Sequence, residues 1–547
     1  MAIKTNLTDE RIERHLREGS WLNKTHGDFL DRRAQAWPDK IAIIDSRSRV
    51  TNGELDLLVT RLALGFLELG IKKEDIVGIM VPNRIEYVAS LLALSKIGAV
   101  SMPINYDFRR EDLEPLLAFS EAKAIVTVSM FKGRSIPSVI EELRPRLKSL
   151  KHVIVDGPEF PEDMISFNKL VSNPIDKEYR RSYLEQFRPH PNDIHLMLLT
   201  SGTTATPKGV LHTYNTWASG GYRIGMTAAL RPDDVCLILY PFFGASGNIT
   251  LTASFSHGCT LAMMDIFRGD EVLKLIQEEK VTTMWGVSTH LIGILNTPDI
   301  DKYDVRSLRL IYSFGAPVSF ETAKMVEEKF NCRILMIWGT SECVDHTSTL
   351  YTDVPEVLYG TVGRPVPYQE VKAMDQEGRE VPEGEAGELI TRGPNNFVGY
   401  FKNKELTDQV VDSDGWFHTG DVGVHDEHGN IRIIGRTTDM ILRGGQNIYP
   451  REIEELLFEH PKIKDVAILA MPDKTYGERA CAYVVLKEGE NLTFEEMIEF
   501  LKGKIATYKL PERLEIVDRF PMTDAGKIQK VKLREDITMK LKQEGKI

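Results

Sequence analysis

Thr200-Ser201-Gly202-Thr203-Thr204-Ala205-Thr206-Pro207-Lys208-Gly209-Val210 stands at the end of the apolar run 194–200. It packs hydroxyls, glycines and a single lysine into one loop directly behind a strand candidate. Such a loop offers backbone N–H groups, hydroxyls and a cation to phosphate oxygens. It is not a Walker loop, because Pro207 and Gly209 flank Lys208 where that motif needs Gly and Ser or Thr. A lone Gly/Ser/Thr stretch would read as a surface loop; the position behind a strand makes this one a phosphate-binding candidate.

Outward from the loop, short apolar runs alternate with helical patterns, the sign of layered α/β architecture. Strands are predicted at 40–44, 76–81, 123–128, 152–155, 194–200, 308–313 and 333–338. A helix is predicted at 84–97, with Ile85, Val88, Leu91, Leu92 and Ser95 on one face. After Arg436 the units become smaller: a helix at 451–459 with Ile453, Leu456 and Leu457 inward, strands at 466–470 and 482–486, and a helix at 494–502. A chain of 547 residues exceeds one ordinary core. The change of grain divides it into residues 1–436, a large domain of layered α/β subdomains, and residues 437–547, a small α+β domain.

Lys+Arg 68 against Asp+Glu 80 leaves a net charge of −12, which excludes the basic footprint of a nucleic-acid-binding protein. The five cysteines are scattered without a CxxC pair, so buried thiols are expected rather than a disulfide framework or a zinc site. His425-Asp426-Glu427-His428-Gly429-Asn430 has metal-ligand residue types but ends in Gly-Asn between two strand candidates, and reads as a polar hairpin. The first twenty residues are charged throughout, the apolar segment 87–100 is short and broken by Ser90, Ser95 and Lys96, and the chain ends Glu544-Gly545-Lys546-Ile547. No membrane span and a cytoplasmic location are expected. Oligomeric state is not written in the chain, and a homodimer is left open.

Further motifs follow in order. They are Leu94-Ser95-Lys96-Ile97-Gly98-Ala99-Val100 with Pro103-Ile104-Asn105, then Gly315-Ala316-Pro317, then Trp338-Gly339-Thr340-Ser341-Glu342. Gly415-Trp416-Phe417-His418-Thr419-Gly420-Asp421 comes next, then Gly435-Arg436 with Asp439-Met440-Ile441 and Gly444-Gly445-Gln446-Asn447-Ile448, and last Gly526-Lys527-Ile528. With the loop they resemble the adenylate-forming superfamily of acyl-CoA synthetases, adenylation domains and beetle luciferases, along nearly the whole chain.

The resemblance implies a route in which a small-molecule carboxylic acid and MgATP give an acyl-adenylate and pyrophosphate, after which coenzyme A displaces AMP. ATP contacts would fall to Thr200, Ser201, Gly202, Thr203, Thr204 and Lys208, to the adenine turn Gly315, Ala316 and Pro317, and to Trp338, Gly339, Thr340 and Ser341. The Trp338 face can stack on adenine, and the Ser341 hydroxyl can bond the α-phosphate or the substrate carboxylate. The Glu342 carboxylate can hold Mg2+ against phosphate oxygens. Asp421 suits the ribose hydroxyls and Arg436 supplies a fork of donors nearby. Lys527 is the catalytic lysine of the resemblance: an ammonium bridging carboxylate and α-phosphate stabilises charge that collects only in the transition state. Lys208 would hold the departing pyrophosphate. The small domain would then swing, with Thr438 or Asp439 as pivot, and Gly444 and Gly445 would let backbone pass close to pantetheine; a plain Gly-Gly turn is the alternative.

Four positions depart from the pattern, one of them Thr438, which stands where relatives commonly carry the Asp or Lys of the pivot. Ala205 replaces a glycine and would cost about 1–2 kcal/mol if its φ is positive. Lys530 replaces a common arginine, with little consequence expected. Gly244, in Tyr240-Pro241-Phe242-Phe243-Gly244-Ala245-Ser246-Gly247, stands where relatives carry histidine or, in amino-acid-activating domains, aspartate. A buried substrate ammonium would lack a counter-charge there, so an α-amino acid is disfavoured. Room for an apolar acyl group follows, with Phe242, Phe243, Gly244, Trp285, Val287 and Phe314 as the acyl-pocket candidates and a medium-chain, cyclic or aromatic monocarboxylate as the expected substrate. The alternatives are an adenylation enzyme that loads a separate carrier protein, a luciferase-like oxygenase, and a non-catalytic binding protein.

Overall fold

The computed structural model describes residues 3–180, 182–200, 207–315, 318, 320–444, 446–522 and 528–547. Contact density divides the chain into a large unit, Met1–Glu370 with Thr391–Phe417, and a small unit, Val371–Ile390 with His418–Ile547.

Two sheets organise the large unit. One has the strand order Lys208–Thr213, Ile194–Thr200, Val100–Pro103, Ile76–Met80, Ala124–Val128, His152–Asp156 and Ile165–Ser166. Its strands are parallel except for the edge pair 194–200 and 208–213, which is antiparallel and sets Thr200 opposite Lys208. The other runs Arg364–Pro365, Thr347–Ser348, Arg333–Trp338, Leu310–Phe314, Thr283–Trp285, Val235–Ile238, Thr260–Met263, Ile41–Ile44 and Arg49–Thr51. The six strands from Arg333–Trp338 to Ile41–Ile44 are all parallel. Strands buried on both faces read as continuous apolar runs, which is why 76–80, 124–128 and 333–338 stand out in the sequence.

The helix Ile85–Ile97 is buried almost all round, not on one face as expected: Tyr87, Ala89, Ser90, Ala93 and Leu94 are enclosed as well. Its composition allows this, since Lys96 and Glu86 are its only charges. Gly98 closes the helix in the left-handed region, with φ 71°.

In the small unit, Glu370–Met374, Gly387–Arg392, Phe417–His425 and Ile431–Arg436 form a sheet whose end residues Glu370, Thr391, Arg392 and Phe417 group with the large unit. Residues 425–431 close the expected polar hairpin, with the Asp426 carboxylate accepting from the backbone N–H groups of His428 and Asn430. A second sheet is built on the hairpin Ile463–Asp473 and Gly477–Leu486, longer at both strands than the expected 466–470 and 482–486 because Lys464, Asp465, Pro472, Glu478 and Arg479 interrupt the apolar runs near its ends. Helices Pro450–Phe458 and Phe494–Leu501 cover one core and Lys530–Gln543 covers the other. Lys530 pairs with Glu454 at 2.7 Å. All five cysteines are unpaired and buried. Among the described residues no helix is long and apolar enough to cross a membrane.

Candidate active site

Four neighbouring strands of the nine-stranded sheet, 333–338, 310–314, 283–285 and 235–238, run parallel, so their C-terminal ends lie side by side. Ligands of such sheets bind at the carboxyl ends. Trp338–Glu342, Gly315, Val287 and Tyr240–Gly244 each follow one of these ends. The Tyr240 hydroxyl ties two of them together, donating to the Phe314 carbonyl and accepting from the Phe314 N–H, both at 2.9 Å. Gly315 then turns with φ 86°.

The Trp338–Glu342 loop is folded by its own residues. A Cβ at Gly339 would lie 2.1 Å from the Val344 carbonyl oxygen, so only glycine lets the chain double back. Thr340 N–H donates to the Cys343 carbonyl at 2.8 Å, and the Thr340 hydroxyl accepts from Cys343 N–H at 3.1 Å. Trp338 is buried and tilts on the His346 ring at 4.2 Å. The Ser341 carbonyl accepts from His212 Nε2 at 2.8 Å. A carbonyl only accepts, so Nε2 carries the proton and Nδ1 accepts from the Thr216 hydroxyl at 3.1 Å. Burial lowers the His212 pKa to about 4, which leaves the ring neutral at pH 7. Glu342 Oε1 accepts from the Tyr400 hydroxyl at 2.7 Å, and burial, with that carboxylate next, pushes the Tyr400 phenol up. Asp345, wholly enclosed, is pushed up to about 7 by burial, against Arg223 and an Asn395 side chain that donates to it.

Lys208 opens the strand 208–213, and its Nζ lies 5.8 Å from the Tyr400 ring centroid. Lys208 and Glu342 thus meet the same side chain. Ser201, Gly202, Thr203, Thr204, Ala205, Ala316, Pro317, Gly445 and Lys527 lie outside the described residues. Among the described residues no group of three His, Cys, Asp or Glu side chains forms a metal cage. Mg2+ needs none, since one or two carboxylates plus phosphate oxygens and water hold it, and Glu342 with Oε2 beside the Tyr400-bound Oε1 fits that donor set.

The apolar candidates pack on different partners: Phe242 on Tyr87 at 5.0 Å, Phe243 on Tyr106 at 5.3 Å, Trp285 on Tyr312 at 4.8 Å and Phe314 on Tyr240 at 4.8 Å. Phe242 and Trp285 are fully buried core residues, whereas Phe243, Gly244 and Val287 are partly exposed. Gly244 precedes the helix Ala245–Ser256 with φ −88°, and a Cβ there would meet only the Pro241 carbonyl oxygen at 3.7 Å. Neither conformation nor space demands glycine at this point.

In the small unit, Asp421 and Arg436 are cross-strand partners, and Arg436 Nε donates to Asp421 Oδ1 at 2.8 Å. Thr437 N–H donates to the Gly420 carbonyl at 2.8 Å. The Thr438 carbonyl and Asp439 Oδ1 both accept from Arg534 at 3.1 Å. Gly444, with φ 56°, donates its N–H to the Tyr476 carbonyl at 2.8 Å.

His212, Tyr400, Asp345 and Asn395 were not among the sequence-predicted residues. His212 left a signal, a polar side chain inside the apolar strand 208–213. Tyr400 left none, since it follows a stretch without periodicity.

Residues 30–401 match the family model described as AMP-binding enzyme, and residues 452–527 match the AMP-binding enzyme C-terminal domain. The putative acyl-CoA synthetase YngI of Bacillus subtilis (strain 168) is 35% identical over 539 residues, covering 94% of this chain and 97% of that protein. The medium-chain fatty-acid–CoA ligase of Escherichia coli (strain K12) is 32% identical over 549 residues, covering 100% and 96%. Among solved structures, the anthranilate CoA ligase AuaEII in complex with anthranoyl-AMP superposes with a TM-score of 0.86 at 26% identity, covering 95% of this chain and 98% of that one.

Proposed function

The chain belongs to the AMP-binding enzyme family, and from that premise we propose that it is an ATP-dependent acid–CoA ligase acting on an apolar monocarboxylate. The observation that carries this reading is the meeting of Lys208 and Glu342 on Tyr400, beside the carboxyl ends of four parallel strands. A cation and a carboxylate held together there serve a polyphosphate and its metal, with Lys208 on the departing pyrophosphate and Glu342 on Mg2+. Mg2+, when bound, would supply charge neutralisation at the phosphates; Glu342 would hold it while the substrate carboxylate displaces pyrophosphate from the α-phosphorus. Trp338, Gly315, Ala316 and Pro317 take the adenine, the Ser341 hydroxyl the reacting groups, and Asp421 with Arg436 the ribose. Lys527 supplies the mobile ammonium of the first half-reaction. Gly444 and Gly445 serve the pantetheine arm in the second, and the chain pivots near 436/437 at Asp439, whose carboxylate is the one anchored by Arg534.

A medium-chain acid is the first choice of substrate, cyclic and aromatic acids the next. The name of the Escherichia coli relative supports the former, the anthranilate ligase supports the latter, and the side-chain space left by Gly244 supports both. Phe243 and Val287 are better placed for acyl contact than the enclosed Phe242 and Trp285. Acyl-CoA and pyrophosphate formation over acids from acetate to decanoate, with benzoate and cyclohexanecarboxylate, tests this. Acyl-CoA that requires ATP, Mg2+ and CoA is the expected result, and pyrophosphate without acyl-CoA would give the function to a carrier-protein-loading enzyme. Gly244→Leu is expected to fold normally and move the optimum to shorter acids; an unchanged profile would remove Gly244 from the pocket.

A further inference from the structure

Residues 394–401, Pro-Asn-Asn-Phe-Val-Gly-Tyr-Phe, form a strap in the large unit that is hydrogen-bonded on both edges. On one edge Phe397 N–H donates to the Glu342 carbonyl at 2.7 Å, and Asn396 bridges Cys343. On the other, Val398 N–H donates to the Leu211 carbonyl at 2.9 Å, Leu211 N–H to the Gly399 carbonyl at 3.0 Å, and Phe401 N–H to the Gly209 carbonyl at 2.7 Å. Gly209 permits that approach, since a Cβ there would lie 3.0 Å from Phe401 Cβ. Asn395 anchors the start of the strap between Arg223 and Asp345, and the Thr407 hydroxyl anchors Tyr400 N–H at 2.9 Å. The strap therefore joins the strand that begins at Lys208 to the loop that carries Glu342, and its Tyr400 side chain meets both residues.

We propose that Tyr400 is a positioning residue, whose hydroxyl fixes the Glu342 carboxylate so that Oε2 faces the metal of the bound nucleotide. This rests on the role given to Glu342 under Proposed function. Donation to Oε1 stops rotation of the carboxylate and disfavours two-oxygen coordination, which a small octahedral ion accepts poorly. Partners of this kind typically set metal affinity or activity by about ten- to a hundredfold.

The test is Tyr400→Phe, which keeps the ring beside Lys208 and removes one oxygen. Its melting curve should match that of the unaltered protein. ATP affinity is measured by calorimetry without acid or CoA, once with Mg2+ and once with EDTA, and pyrophosphate release is followed separately. The Mg2+-dependent gain in ATP affinity is expected to fall about tenfold, with affinity in EDTA unchanged. A purely structural role would move both affinities or neither. An Mg2+ gain equal to that of the unaltered protein overturns the proposal. Glu342→Gln, measured alongside, should lose the gain entirely; if it keeps it, the metal role of Glu342 fails, and the positioning role with it.

Discussion

The loop 338–346 of the large unit and the turn 436–440 of the small unit are both short connections behind strands, but they are held by opposite means. The first is tied by neutral groups partly shielded from water, with His212 itself buried: His212 on the Ser341 carbonyl, Phe397 N–H on the Glu342 carbonyl, and the Thr340 hydroxyl on Cys343 N–H. The second is tied by charges that water reaches, since Arg436 is 55% exposed and the Asp439–Arg534 pair about 30%. Enclosed neutral hydrogen bonds are costly to break and indifferent to salt. Half-exposed ion pairs contribute little and are screened. One connection is built to stay as it is; the other can be remade cheaply, as the pivot role proposed for Asp439 requires.

The largest effect comes from removing the charge that the neutral cage presents. Glu342→Gln is expected to slow pyrophosphate release about 10²- to 10³-fold with the melting temperature unchanged. A slowing below about tenfold would mean that the cage serves something other than that carboxylate.

Breaking the cage itself should cost stability. His212→Ala leaves the Ser341 carbonyl without that donor beside a cavity, while the Thr216 hydroxyl keeps its bonds to Thr213, so a loss of about 2–4 kcal/mol is expected in urea unfolding. A loss below about 1 kcal/mol would show that Thr340 and Phe397 suffice.

Acid should act on the two units unequally. His15, His26, His212 and His346, all in the large unit, have pKa values lowered by burial to between about 3 and about 4, from an ordinary 6.5. Above 6.5 folded and unfolded chains bind these protons equally and stability is full. As pH falls from 6.5 the unfolded chain protonates first and stability is lost, with no further loss from these groups below about 3. Hydrogen exchange at pH 5 against pH 7 is expected to weaken protection at 208–216 more than at 463–486. Equal weakening would break the contrast.

The smallest effect is expected at the turn. Arg534→Gln should change stability by less than about 1 kcal/mol, and 0.5 M salt should nearly reproduce it in the unaltered protein. A loss comparable to that of His212→Ala would make the two connections alike.

Sequence patterns carried most of the layered fold. The apolar runs at 76–80, 194–200 and 333–338 are long enough to be seen, and the motifs fix the order of the connections behind them. Strands 100–103, 235–238, 260–263 and 283–285 span only three or four residues and carry no pattern that separates them from helix or loop. Of the candidate site, the residues of the loop after strand 333–338 were recognisable because their spacing is local. Their holders were not: Tyr400 stands 58 residues from Glu342, and His212 is 129 residues from Ser341, so only the packed chain joins them.

The burial of all five thiols has a practical consequence. A maleimide dye added to the folded protein would find no native target, so no cysteine need be removed before one is introduced. Glu427, exposed at the tip of the 425–431 hairpin, is a suitable address, and Glu427→Cys would give the small unit a single optical handle. Paired with a second handle on the large unit, it would let single-molecule fluorescence test the proposed domain movement in an otherwise unaltered chain.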